Sequence, residues 1–202
     1  MMKIKLAVLL LTVNALSYSQ SLEFGFNVGT GATYLVENSD ENVNINYKTP
    51  ATISTDLKFT PENSNFGVVV RYQFTGTSVD GNKWFDLSES YFKARVNDNT
   101  FLLLLEYLKR NEKKLNFGAN FGMGYTKQII NFENEDLPTN NSFPSIQIGG
   151  LINYKLNNKL SLKLQPSFQF FDPINGLSNN KLNLAKEDIH FLMQLGISYQ
   201  LK

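Results

Sequence analysis

The sequence predicts an all-β chain, an eight-stranded antiparallel up-and-down barrel. Three observations carry that reading. After residue 20 the chain divides into segments in which apolar and polar residues alternate, the period-2 mark of strands with two unlike faces. The connections between these segments run long, short, long, short. Aromatic residues reach 13%, with 16 Phe and 9 Tyr, while charged residues make up only 18%, below the usual quarter or so.

The N-terminus comes first. Lys3 and Lys5 precede an apolar run, Leu6 to Val13, which is followed by NALSYSQS with small residues at Ser17 and Ser19. A short basic region, a short apolar core and small residues ahead of Gln20 form a signal peptide over 1–19, leaving 20–202 as a single barrel domain. The apolar run is too short to cross a bilayer as a helix. Without Lys3 and Lys5, the 19 basic residues become 17 against 18 acidic ones, a net charge of −1. Nothing in that balance points to nucleic acid. The chain has no cysteine, so its stability does not rest on disulfides.

The first strand is SLEFGFNVGTGATYLV: Leu22, Phe24, Phe26, Val28, Ala32 and Tyr34 share one parity, and Glu23, Gly25, Asn27, Gly29, Gly31 and Thr33 the other. A second runs from Val43 to Phe59. A third carries Phe66, Val68, Val70, Tyr72 and Phe74. The fourth, TFLLLLEYLK (100–109), reads two ways. Phe101, Leu104, Leu105 and Leu108 suit one face of a helix, whereas Phe101, Leu103, Leu105 and Tyr107 suit one face of a strand. Four further segments follow, around Leu115–Tyr125, Ile146–Leu156, Leu160–Phe170 and Ile189–Leu201. The connections 60–65, 109–114 and 157–159 are short; 36–51, 76–99, 131–143 and 172–186 are long and rich in Asn, Asp, Glu and Ser. This rhythm fits an up-and-down barrel with its short turns on one side of a membrane only if 100–109 is a strand. The 76–99 stretch reads as a β-extension with a bulge or turn before Phe101. Pro166, mid-strand with no N–H to give, predicts a second bulge.

The segment LLLLEYLKRNEKKLNFGANFGMGY (102–125), with the signal peptide and the eight alternating segments, resembles the outer-membrane β-barrel domain family, which groups with OmpX-, OmpA- and PorT-like small barrels. The resemblance covers about residues 20–202. It implies an integral outer-membrane protein with a structural, adhesive or interaction role through its outer loops. A PorT-like part in secretion is one version.

Parity alone does not say which face meets lipid. The non-apolar face carries Gly118, Asn120, Gly122, Gly124, Gln147, Gly149, Gln165, Ser167, Gln169, Gln194 and Ser198, a set suited to a narrow polar lumen. The aromatics of the other face gather near strand ends. Phe24, Phe66, Tyr107, Phe117, Tyr154 and Tyr199 lie towards one rim, and Tyr34, Tyr72, Phe101, Tyr125, Phe168 and Phe191 towards the other. Two girdles of this kind mark a transmembrane β-barrel.

The lumen parity also holds Glu23, Asp56, Lys58, Arg71, Glu106, Lys155 and Lys163. Hairpin closure at 60–65 sets Arg71 by Asp56, and closure near Thr75 and Thr100 sets Glu106 by Arg71. The expected site is therefore a lumen charge network of Asp56, Arg71 and Glu106. It acts either as a plug or as a gate, and an eight-stranded bore favours the plug. Leu102, Leu104 and Leu108 face inward beside Glu106, so that sector of the lumen is greasy. Trp84 and Phe85, in the longest excursion, are the candidate partner contact.

His190 is the only histidine. With Ser90, Ser142 or Ser178 it supplies at most the parts of a lipid-modifying enzyme, and no motif joins them. Catalytic residues, cofactors and metals are not expected. The expected surroundings are outer-membrane lipid and lipopolysaccharide, the outer-membrane assembly machinery, and a protein partner at the outer loops, with the barrel a monomer. A small pore and a soluble lipocalin-like ligand binder are the alternatives.

Overall fold

The computed structural model describes residues 19–35, 45–81, 91–109, 114–133, 137–171 and 188–201. The expected signal peptide lies outside these residues except for Ser19. Nine strands follow in chain order: β1 (Ser19–Leu35), β2 (Ile45–Tyr47), β3 (Ala51–Pro61), β4 (Phe66–Gly81), β5 (Phe92–Leu108), β6 (Leu115–Phe132), β7 (Thr139–Lys155), β8 (Leu160–Phe171) and β9 (Asp188–Gln200). Their order in the sheet is β2–β4–β3–β1–β9–β8–β7–β6–β5, and β5 pairs back onto β4. All pairings are antiparallel. Eight strands thus close into a barrel, and β2 is a three-residue addition on the far end of β4.

The ambiguous stretch TFLLLLEYLK is strand from Thr100 to Leu108, within β5, and only Lys109 lies past the strand's end. Closure decides it. As a strand it hydrogen-bonds to β4 on one side and β6 on the other, whereas a helix there would leave both neighbours with unpaired edges. Phe101, Leu103, Leu105 and Tyr107 point outward, and Leu102, Leu104, Glu106 and Leu108 are buried inside.

Two expected bulges are absent. The β4–β5 register runs unbroken from Phe66↔Tyr107 to Gly81↔Phe92, so no bulge precedes Phe101. Pro166 stays in register opposite Met193. On its other side the β7 ladder omits the pairs at Gly150 and Leu151 and resumes in the same register. Gly150 lies opposite the Pro166 ring, which a Cβ there would meet at an ordinary 3.4 Å. A proline accommodated by two skipped ladder pairs needs no extra residue. A bulge falls instead at 48–50. Tyr47 faces Val79 and Ala51 faces Gly76, four steps against three, around Pro50.

The strands also reach further than the alternation implied. Residues 76–81, 92–99 and 139–143, read as loop or as irregular extension, are regular strand. Their inward and outward positions continue those of the barrel below, but the chemistry exchanges faces. Val79, Phe92, Ala94, Val96, Ile130 and Phe132 form a buried apolar cluster on the inner side, with Tyr47 packed against it. Lys93, Arg95 and Asn131 lie outside. Nearer the short turns the outer face is apolar, with Phe121, Met123, Leu103 and Leu195 all more than half exposed, and the inner face is largely polar.

Candidate functional site

The lumen is built by the inward residues of all eight barrel strands. Asp56 on β3 faces Arg71 on β4 across the ladder. The Arg71 guanidinium donates from Nε to Asp56 Oδ1 and from Nη2 to Asp56 Oδ2, both at 2.7 Å. This planar two-bond fit is what a guanidinium offers a carboxylate. Asn27 donates to the same carboxylate at 3.1 Å and to Ser54 at 3.0 Å. Arg71 then crosses the lumen. Its Nη2 also donates to Gln165 on β8, and its Nη1 donates to Gln194 on β9 at 3.3 Å.

A second polar layer lies alongside. Gln73 donates to Gln169 on the opposite wall at 2.7 Å, and Gln169 donates to Thr100 at 3.3 Å. Thr100 joins Thr126 at 2.8 Å, and Thr126 joins Ser145. Hydrogen bonds between opposite walls leave the bore occupied by side chains, as the diameter of an eight-stranded barrel dictates.

Glu106 does not join Arg71. Hairpin β4–β5 closes two residues away from the expected register: Thr100 faces Gln73, so Glu106 faces Gly67 and Leu102 faces Arg71. Glu106 instead holds Lys58 at 2.6 Å. The route of that lysine depends on Gly67, where a Cβ would come within 2.8 Å of Lys58 Cε. Glu23 completes the group, 3.9 Å from Lys58 and 3.4 Å from Lys163. The lumen therefore carries an Asp56–Arg71 pair and a Glu23–Lys58–Glu106–Lys163 cluster, with charges balanced in each. Lys58, Lys163 and Glu23 were visible as inward charges, but a hairpin register two residues from the expected one hid the pairing of Lys58 with Glu106. The bridging glutamines 73, 165, 169 and 194 carry no charge and no motif. Only their shared inward parity marks them.

The greasy sector is formed by Val69, Leu102 and Leu104. Beside it, β6 presents glycines at 118, 122 and 124. A side chain at Gly122 would run into the Leu103 carbonyl, and one at Gly124 into that of Phe101. The close approach of β5 and β6 requires both glycines.

The two ends of the barrel differ. Towards the far end the lumen is crossed by Phe143, Phe171 and Leu192, all buried. Phe143 and Phe171 meet edge to face at 5.5 Å, and Phe171 and His190 at 4.6 Å. The extension's apolar cluster lies beyond. At the short-turn end a cavity of about 520 Å³ opens to the surface, lined by Glu23, Asn116, Asn153, Lys114, Lys155 and Lys159 among others.

Two remaining sets of candidates are resolved differently. Trp84 and Phe85 lie outside the described residues, as do Ser90 and Ser178. Ser142 points outward on β7, whereas His190 points into the lumen on β9, so the sheet itself separates them. Among the described residues, no three of His, Cys, Asp and Glu converge as metal ligands do.

The outward aromatics form two bands. Tyr72, Phe101 and Tyr125 stand in one row across β4, β5 and β6, and Phe168 meets Phe191 at 5.1 Å. Near the other rim Phe66 meets Tyr107 at 5.0 Å, and Phe24 faces Tyr199. On β6 the bands are Phe117 and Tyr125, a span matching the roughly 9–11 residues that carry a tilted strand through a bilayer.

The same barrel occurs in solved structures of low sequence identity. Neisserial surface protein A is 7% identical with a TM-score of 0.58, over 89% of this chain and 96% of that one. A major outer membrane protein from Thermus thermophilus is 13% identical with a TM-score of 0.57, over 89% and 99%. The outer membrane protein OprG from Pseudomonas aeruginosa is 15% identical with a TM-score of 0.52, over 90% and 94%. At these identities the likeness is one of fold. No curated protein sequence matches the chain. The family model for the outer membrane protein beta-barrel domain matches residues 5–185. With most of its length matched and an eight-stranded closed barrel as its fold, the chain belongs to the outer membrane protein beta-barrel domain family.

Proposed function

We propose that this protein is exported by its signal peptide, residues 1–19, and spans the outer membrane as a monomer. Its role is non-enzymatic, structural or adhesive, acting through the end of the barrel that bears the long connections. The short turns then face the periplasm, and the extension of β4, β5 and β6 projects outward. In that placement the girdles sit at the two membrane interfaces. Lipid and lipopolysaccharide meet the apolar outer face, as a member of this family would present it.

The observation that carries the reading is the braced lumen. Arg71 is tied to Asp56 on its own side and to Gln165 and Gln194 on the far side. Desolvated charges held in this way cross-link opposite walls and leave little path for solute. The Asp56–Arg71 pair and the Glu106–Lys58 pair then act as a plug and not as a gate. A lipid-modifying role finds no support in His190, whose ring packs against Phe171 and whose ladder partners are Thr33 and Gln169.

Fractionation and planar-bilayer recording test this together. The expected result is a membrane-bound protein that needs detergent, migrates faster unheated than boiled, and gives no steady conductance. Recovery in aqueous buffer, or a stable ohmic channel from the unmodified protein, would overturn it.

A further inference from the structure

We infer that the short-turn mouth of the barrel binds a carboxylate-bearing peptide segment, gripped by Lys114, Lys155 and Lys159 above the buried amides of Asn116 and Asn153. The cavity of about 520 Å³ falls in the range of roughly 300–1,000 Å³ typical of ligand pockets. Its one lining carboxylate, Glu23, already lies against Lys58 and Lys163. The three rim lysines carry no salt bridge among the described residues, so the mouth has a surplus of positive charge.

The rim is held in place. The Lys155 N–H donates to the Lys114 carbonyl at 2.8 Å, which sets the first two lysines side by side. Asn157 Oδ1 accepts from the N–H groups of Lys159 and Leu160 at 2.8 and 2.9 Å, fixing the turn that carries the third. A preorganised ring of ammonium groups loses less freedom when an anion arrives.

The floor selects the kind of anion. Asn153 is only 4% exposed, lines the cavity, and its Oδ1 has no hydrogen-bond partner. A buried acceptor without a partner calls for a donor. An inorganic anion answers the lysines but offers the floor few donors. An acidic peptide offers carboxylates to the rim and backbone N–H groups to Asn153. The orientation proposed above fixes only the compartment from which such a segment comes. Binding itself is read in micelles, where both ends of the barrel are open, so its failure is separate from a failure of membrane insertion.

The test uses the full chain in detergent with a fluorescent, terminally blocked tetraglutamate, read by anisotropy. Tetraglutamine, inorganic phosphate and a galacturonate tetramer serve as unlabelled competitors. Tetraglutamate should bind saturably and weaken with added salt, and none of the three competitors should match unlabelled tetraglutamate. The triple variant Lys114→Gln, Lys155→Gln, Lys159→Gln should weaken binding by about tenfold or more. Asn153→Leu should weaken it with the lysines intact, and Lys93→Gln on the far extension should leave it unchanged. Each variant is first checked for the heat-dependent gel shift of a folded barrel. No saturable binding, triple-variant binding equal to wild type, or competition by phosphate, galacturonate or tetraglutamine as strong as by tetraglutamate would overturn the proposal.

Discussion

Strand β6 passes through two regions of opposite construction without a break in register. From Phe117 to Tyr125 its outward residues include Phe121 and Met123, and its inward ones are Gly118, Asn120, Gly122 and Gly124. By Ile130 and Phe132 the apolar side chains have moved inside, while Asn131 and Glu133 stand outside. Strand β4 makes the same exchange between Tyr72 and Val79. One sheet with one parity thus has a lipid-type exterior near the short turns and a water-type exterior beyond. What changes is the solvent each part is built for. Lipid rewards apolar residues outside and tolerates a hydrogen-bonded interior, whereas water drives apolar residues in.

The largest expected effect comes from breaking the interior of the lipid-facing region. Arg71→Met leaves Asp56 buried without its cation, which should cost about 3–5 kcal/mol. The urea midpoint of the heat-dependent gel shift measures it. The double variant Arg71→Met, Asp56→Leu should recover most of that loss, because replacing both charges removes the uncompensated one. A double variant no better than the single would mean that Arg71 acts through its glutamine bridges.

The exteriors should differ by nearly as much. Leu103→Arg, midway between the aromatic bands, should cost about 2–4 kcal/mol in a bilayer, whereas Asn97→Arg on the same face of β5 should stay within about 0.5 kcal/mol. Folding yields into vesicles, titrated with urea, compare the two. Equal costs would place both positions in one solvent and end the comparison.

The inversion also explains how far the sequence could be read. Where apolar residues lie outside, alternation gave the strands, the girdles and the inward set, including Leu102 and Leu104. Where they move inside, a reader following one greasy parity sees the pattern stop at Phe74 or Tyr125 and assigns loop. Phe92, Ala94 and Val96 did mark a β-extension, but their parity looked like a slip because Phe101 is greasy on the other face. The pairing of Asp56 with Arg71 was legible because a short turn fixes that hairpin. The partner of Glu106 was not. A long connection leaves register open, and a shift of two residues keeps every side chain on its face while changing its neighbours. Lys58 and Gly67 could be connected only in three dimensions.

Gly67 gives a smaller test of the same point. Gly67→Val puts a branched side chain where the Lys58 stem passes to Glu106. Overpacking there should cost about 1–3 kcal/mol, seen as an earlier urea midpoint. Leaving Gly76, whose nearest contacts would be at an ordinary 3.4 Å or more, to carry the parallel change Gly76→Val gives a control within the same strand.

The smallest effect separates the two interiors. Gln147 is fully buried, and neither its Oε1 nor its Nε2 has a hydrogen-bond partner in the protein. A buried amide that gains nothing from its neighbours can be replaced by an apolar group of similar size at little cost, so Gln147→Leu should fall within about 1 kcal/mol of wild type on either side. The reverse exchange in the extension, Ile130→Gln, puts an amide into a cluster that offers it no partner and should cost about 1–3 kcal/mol. The two variants exchange similar side chains in opposite directions on the same inward face. If Gln147→Leu proves as damaging as Ile130→Gln, the amide is bound to something the protein alone does not provide, such as water reaching it from the short-turn mouth. The polar lumen would then be a hydrated one, and the contrast between the regions would be one of water inside against water outside.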